Sequence, residues 1–197
     1  MCAHYTVFSE EEILEMRIIL EEISKNFGAQ AVKTGQISPT DLAPVLTLAD
    51  GRLVPSPAKF GLPKKEGKGV HLNARSDNAM TVWRRALFSR RCVVPSTGYY
   101  EWMHEGKKAT DKFLFRRPGE KMLYMAGMLG QSVGKDGVTR DAFVILTTDA
   151  NDSVSPVHHR MPLILMPKEQ KEWLANDAFV RLALKREGPE LVALPAV

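Results

Sequence analysis

Cys2 stands immediately after the initiator Met1, so loss of Met1 leaves one residue carrying both a free α-amine and a thiol. An α-amine titrates at roughly 7.7–8.0, against about 10.4 for a lysine, and a cysteine thiol at about 8.5. Near neutral pH both nucleophiles are available on the same residue. A 1,2-aminothiol can trap an aldehyde twice: the amine forms an imine, then sulfur closes a five-membered thiazolidine. The second attack is intramolecular and gains from a high effective concentration. Taken alone, a cysteine at position 2 also fits an incidental small residue.

Three further segments carry groups suited to proton transfer or orientation. Gly98-Tyr99-Tyr100-Glu101-Trp102 sets a carboxylate inside an aromatic strand. Apolar neighbours disfavour a charged carboxyl and can bring it into range as a proton donor or acceptor near neutrality. Alternation puts Tyr99, Glu101 and Met103 on one face and Tyr100 and Trp102 on the other, and leaves open whether Glu101 faces core or solvent. Pro156-Val157-His158-His159-Arg160-Met161-Pro162 places His158, a proton carrier at neutral pH, near Arg160, which can hold a phosphate or carboxylate through two bonds. A solvent-facing histidine beside an arginine tied to carbonyls is the structural alternative. Adjacent in an extended stretch, His158 and His159 are expected to point opposite ways. With no C-x-x-C or H-E-x-x-H spacing, no metal site is expected.

The third segment is His71-Leu72-Asn73-Ala74-Arg75-Ser76-Asp77, just ahead of a helix. The Asn73 amide can orient a reacting group and Arg75 can hold a phosphate near the helix start, while Ser76 or Asp77 serves as a cap. The pairs Arg84-Arg85, Arg90-Arg91 and Arg116-Arg117 fit either a phosphate track or solvated faces. Cys92, in an apolar strand, reads as inert core.

These groups need a scaffold, and the pattern supplies one. After an extended start over Cys2–Phe8, Ser9 and Glu12 form a helix-opening pair. Ile13, Met16, Leu20, Ile23 and Phe27 then recur at helical spacing up to Gly28. Prolines at 39, 44, 55, 57 and 63 mark turns and short extended pieces, with Val45–Leu48 the clearest strand there. A second helix is expected from about Asp77 to Phe88, with Val82, Trp83, Ala86 and Leu87 on one face. Strands follow at Cys92–Val94, Gly98–His104, Phe113–Phe115, Met122–Gly127, Ala142–Thr148 and Leu163–Leu165, joined by turns such as Arg117-Pro118-Gly119 and Lys135-Asp136-Gly137. Pro167 opens a helix containing Trp173, and a short helical stretch spans Phe179–Leu184. Sequential strands with short turns imply mainly antiparallel pairing in an α+β fold.

The chain has 197 residues, 44% hydrophobic and 25% charged, enough to build a core and too apolar for disorder. One compact domain over 1–197 is expected. Lys and Arg exceed Asp and Glu by 27 to 23, a net charge of +4 that favours a polyanionic partner. Two cysteines do not make a disulfide scaffold. No apolar run reaches the roughly 18 residues of a membrane span, so a cytoplasmic protein without membrane association is expected.

The order of the motifs is distinctive: Met-Cys at the N-terminus, Asn-Ala-Arg-Ser, Arg-Cys-Val-Val-Pro-x-x-Gly-Tyr-Tyr-Glu-Trp, Ala-Gly, Thr-Thr-x-Ala and His-x-Arg-Met-Pro. From Cys2 to about Trp173 the chain resembles the SOS-response-associated peptidase (SRAP) family of abasic-site processing proteins. The resemblance implies a compact α+β domain around a mainly antiparallel, barrel-like sheet flanked by helices. It implies Cys2 as nucleophile, Asn73, Glu101 and His158 completing the active site, and Arg75 and Arg160 on DNA phosphates; from the basic pairs, Arg84 and Arg85 are further candidate DNA contacts. The implied partner is single-stranded DNA containing abasic sites, bound by a monomer without cofactor or metal, and nucleoid-associated when on DNA. The implied activity is a covalent thiazolidine crosslink, with lyase and autoproteolytic peptidase activity as companions. The rival readings are a cysteine peptidase or amidohydrolase using Cys2 and His158, and a non-covalent single-strand-binding module. The chain departs from the family at Ala3-His4, where Gly-Arg is usual, and at Phe60-Gly61-Leu62-Pro63, which lacks the expected tryptophan.

Overall fold

The computed structural model describes residues 3–8, 13–64, 68–106, 108–134 and 136–196. In chain order the first elements are β1 (His4–Val7), α1 (Leu14–Phe27), β2 (Gly35–Ile37), β3 (Leu42–Ala49), β4 (Arg52–Phe60), β5 (Leu62–Pro63), β6 (Val70–His71) and β7 (Asn73–Arg75). Two short helices follow, α2 (Ser76–Ala79) and α3 (Arg84–Ser89). The long strands are β8 (Arg91–Ser96), β9 (Gly98–Glu105), β10 (Lys108–Arg116), β11 (Leu123–Val133) and β12 (Thr139–Asp149). The chain closes with β13 (Arg160–Pro162), β14 (Ile164–Leu165), a 3-10 turn at Pro167–Glu169, α4 (Gln170–Ala175), α5 (Asp177–Ala183) and β15 (Val192–Ala196).

Five strands close on themselves in the order β12-β4-β3-β8-β11 and back to β12, which makes a small barrel in an α+β fold, as the family resemblance implies. Its pairings are antiparallel except β12 with β4. A second sheet, β15-β10-β9-β1-β2, is antiparallel throughout. Tyr5 of β1 and Tyr99 of β9 face each other across it. Tyr99 stacks on Phe115 at 5.1 Å, and Tyr5 meets Phe60 of the barrel at 5.5 Å, so aromatic contacts fuse the two sheets. On the far side, the Trp173 indole donates to the Cys92 carbonyl at 3.0 Å. Cys92 is fully buried, and burial pushes its thiol pKa far up, as inert core requires.

The first helix appears with a shifted face. Ile13, Met16, Ile19 and Ile23 are buried, whereas Phe27, expected inside, is 53% exposed at the last turn. The expected Ser9–Glu12 opening falls outside the described residues. The expected single helix from Asp77 to Phe88 is two helices. Both Thr81 and Val82 amides, and the Thr81 hydroxyl, bond the Asn78 carbonyl, which ends α2 early and leaves Val82 68% exposed. β4 is a full nine-residue strand despite Pro55 and Pro57, because among the described residues only β3 pairs with it over that stretch and a proline nitrogen can face the other edge. Among the described residues, no helix is long and apolar enough to cross a membrane.

Candidate active site

The end of β12 sets the spacing of the site. On one edge β7 runs parallel to it, pairing Asn73 with Ile145 and Arg75 with Thr147. On the other edge β13 runs antiparallel, pairing Asp149 with Arg160. Adjacent strands lie about 4.8 Å apart, so Asn73 and the His158–Arg160 segment flank one strand at a separation near 10 Å.

Glu101 is on the buried face of β9: it is 2% exposed and Tyr99 is 0%, while Tyr100 and Trp102 are half-buried on the other side. Of the two orientations allowed by alternation, the structure selects the inward one. The β1–β9 register pairs His4 with Tyr100, so the first described residue, Ala3, enters β1 beside the Glu101 stretch of β9. Cys2 itself lies outside the described residues.

His158 ends a tight turn. Its amide bonds the Val154 carbonyl at 3.0 Å, with Val154 fully buried. Asn151 anchors the turn by accepting from the Ser153 amide and hydroxyl at 3.2 and 2.7 Å and by donating to the Gly188 and Pro189 carbonyls at 2.9 Å each. The Nδ1 of His158 accepts the Arg160 N–H at 3.0 Å, which leaves Nε2 to carry the hydrogen of the neutral ring. The Arg160 carbonyl lies 3.2 Å from the same Nδ1 and is placed to accept when the ring is cationic. Partial burial lowers the His158 pKa below its ordinary value; the Glu101 charge opposes this, and His159 adds to the lowering. The Glu101 charge thus bears on His158 although one residue is on β9 and the other ends the turn ahead of β13. The expectation that His158 and His159 diverge is corrected: their rings stack with centroids 4.4 Å apart, because the segment is a turn rather than an extended strand. Among the described residues no group of three potential metal ligands gathers.

The arginines divide. Arg160 is 2% exposed, with its guanidinium on the Asp149 carboxylate and the Thr147 carbonyl, both at 2.6 Å. Arg75 is exposed and forks onto Asp77, with Nη2 to Oδ2 at 2.6 Å. That bond holds the Asp77 carboxyl below its usual range and the Arg75 guanidinium above its own. Arg84 and Arg85 are exposed on α3, and Arg84 lies over the Phe88 ring at 5.6 Å. Of the other pairs, Arg91 is turned inward to the Leu87 and Leu174 carbonyls and Asp177.

Two residues near Glu101 have no role that the sequence alone assigns. His4 packs edge-on against Trp102 at 5.1 Å, and its pKa is lowered by burial and by Lys112, with Glu101 opposing. Lys112 sits over the Tyr100 ring at 4.1 Å and bonds the Gln36 side chain at 3.3 Å. His4 was visible as a departure from the usual arginine; Lys112 had no local signal, because only strand pairing brings it there.

A strand-rich α+β barrel in which a buried glutamate bears on a turn-locked histidine holds two groups suited to proton transfer. Residues 1–191 match the family described as SOS response associated peptidase (SRAP), and the chain belongs to it. The chain is 27% identical over 190 residues to the abasic site processing protein YoqW of Bacillus subtilis, covering 88% of this chain and 80% of that one. It is 24% identical over 186 residues to the abasic site processing protein YedK of Escherichia coli, covering 90% and 81%. A crystal structure of a Bacteroides thetaiotaomicron protein shares the fold, with a TM-score of 0.78 at 24% identity, covering 100% of this chain and 92% of that one.

Proposed function

We propose that this protein processes abasic sites in single-stranded DNA by forming a thiazolidine through Cys2 once Met1 is removed. In the ring-opened abasic sugar, C1′ is an aldehyde. The Cys2 amine adds to it and water leaves, giving an imine. The thiol then adds across the C=N bond, carbon–sulfur bond formation being matched by a proton delivered to nitrogen. The net change is one aldehyde and one aminothiol joined with loss of one water.

His158, held below its ordinary pKa, is largely neutral at pH 7 and takes a proton from the amine or thiol. Glu101, buried within electrostatic reach of His158, relays protons during loss of water, and Asn73 orients the reacting amine. Arg75, exposed beside Asn73, meets a phosphate by exchanging its Asp77 contact for the ligand. Arg160 acts as a positioning residue: its buried guanidinium, bonded to the Thr147 carbonyl and to Asp149, fixes the backbone that holds the His158 ring. Arg84 and Arg85 extend the basic surface.

The observation that carries this reading is the burial of Glu101 on β9, the strand paired with β1, where its charge bears on the turn-held His158. The relatives' names and the net charge of +4 support the choice of substrate. The test is incubation of the Met1-free protein with single-stranded DNA bearing one abasic site, read by denaturing gel and intact mass. An adduct heavier than protein by the DNA less one water is expected, and none with Cys2→Ala. The same adduct from Cys2→Ala overturns the reading. Peptide turnover without an adduct selects the peptidase alternative, and salt-reversible binding alone selects the non-covalent one.

A further inference from the structure

We propose that Trp83 and His71 form a stacking platform for the base of the nucleotide next to the one engaged at Asn73, an inference that rests on the DNA-processing reading above. Residues 70–75 run extended from β6 into β7, so alternate side chains share a face. Leu72 is packed on the core and Ala74 is buried, which turns His71, Asn73 and Arg75 to the other side in a row. Their Cα atoms advance by about 6.6 Å per pair of residues, a step that one nucleotide of an extended strand can span. The row therefore offers three successive stations, with Asn73 in the middle and the exposed Arg75 at one end.

At the other end, the Trp83 ring meets the His71 ring edge-on, with centroids 5.6 Å apart and planes at 86°. Both line a cleft of about 650 Å³ whose walls include buried Leu62 and exposed Lys64 and Gln131. That volume suits a nucleobase. The wall chemistry suits one too: an aromatic face to stack on, an ammonium for the linking phosphate and an amide that both donates and accepts. Among the described residues, none lining the cleft is a carboxylate. Beyond Trp83 the surface stays basic, with exposed Arg84 and Arg85, and with Phe88 between the Arg84 and Arg181 guanidinium groups at 5.6 and 5.1 Å. The occupant that fits an aromatic cleft continuous with such a surface is a single strand.

The test separates stacking from chemistry by using full-length Cys2→Ala protein and fluorescence anisotropy. Three single-stranded oligonucleotides are compared, one with a single abasic site and two with a second abasic residue immediately 5′ or 3′ of it. The Cys2→Ala protein is expected to lose about tenfold in affinity when the base on one particular side is missing, a typical stacking contribution. With Trp83→Ala added, binding to the first oligonucleotide should be about tenfold weaker and indifferent to that base, and Trp83→Phe should recover part of the loss. His71→Ala, at an exposed position, gives the same pattern in weaker form and decides the matter if Trp83→Ala does not fold. A Trp83→Ala protein that still loses the full factor on base removal overturns the platform, as does a parent protein that responds to neither side. Crosslinking by protein with Cys2 intact is scored in parallel. Its absence alone defeats the covalent chemistry and leaves the platform standing on the affinity pattern, whereas no binding to any single strand defeats both.

Discussion

Arg75 and Arg160 stand on opposite edges of β12, one paired in register with Thr147 and the other with Asp149, yet they live in different solvents. The Arg75–Asp77 pair is about half exposed on both sides, so solvent screens it and it adds little to stability. Arg160 is buried and serves the Thr147 carbonyl as well as Asp149. Arg75→Ala is expected to leave the melting temperature nearly unchanged while weakening single-strand binding and flattening its salt dependence. Arg160→Ala is expected to cost about 2 kcal/mol, since a buried acceptor loses its donor. Equal melting curves for the two variants would sink this division of labour.

Glu101→Gln keeps the shape of the side chain and removes the charge that supports the His158 cation. The rate of adduct formation should fall by about 10²-fold, in the range of a lost general acid or base. NMR titration should show His158 moving further below its already lowered midpoint. An unchanged His158 midpoint in Glu101→Gln contradicts the electrostatic pairing.

Stability should fall on mild acidification. Burial is the leading cause that lowers the pKa of both His4 and His158 in the fold from the ordinary 6.5, so below that value the unfolded chain binds protons that the folded one resists. Stability present above pH 6.5 is thus lost as pH falls through the lower, folded values. Thermal melts from pH 7.5 to 5 should show a declining midpoint, with a shallower decline in His158→Gln. A rising midpoint over that window is the contrary result.

Much of this architecture was legible beforehand, and the failures have physical causes. The strands from Arg91 to Asp149 stand out because β-branched and aromatic residues alternate between explicit turns. β4 was hidden because Pro55 and Pro57 read as breakers, and only a strand with one open edge accommodates them. The Asp77–Phe88 helix was overdrawn because periodicity cannot see Thr81 bonding back to Asn78. In the site, Glu101 and His158 were readable as residue types, but the burial of one and the turn locking the other are tertiary facts. The burial of Arg160 had no local signal, since its partner Asp149 is eleven residues away across a strand pair.

Inside the barrel, Gly127 leaves room for Cys92. A Cβ at Gly127 would lie 2.9 Å from the Cys92 sulfur and 3.1 Å from the Val144 carbonyl. Gly127→Ala should therefore destabilise by about 1–3 kcal/mol through overpacking. Adding Cys92→Ala should return part of that loss, a non-additivity measurable by denaturant unfolding. Strict additivity of the two substitutions would show that sulfur is not the obstacle.

The two prolines of β4 have a consequence for behaviour in a crowded solution. Over Arg52–Ala58 this strand pairs with β3, and among the described residues no second strand pairs along its other margin. An unclaimed margin invites another chain to add itself by main-chain bonding, the first step toward fibrils. With Pro55 and Pro57 lacking amide hydrogens there, an incoming strand finds too few donors to zip up. The residues that obscured the strand in the sequence are those that blunt its margin against such addition.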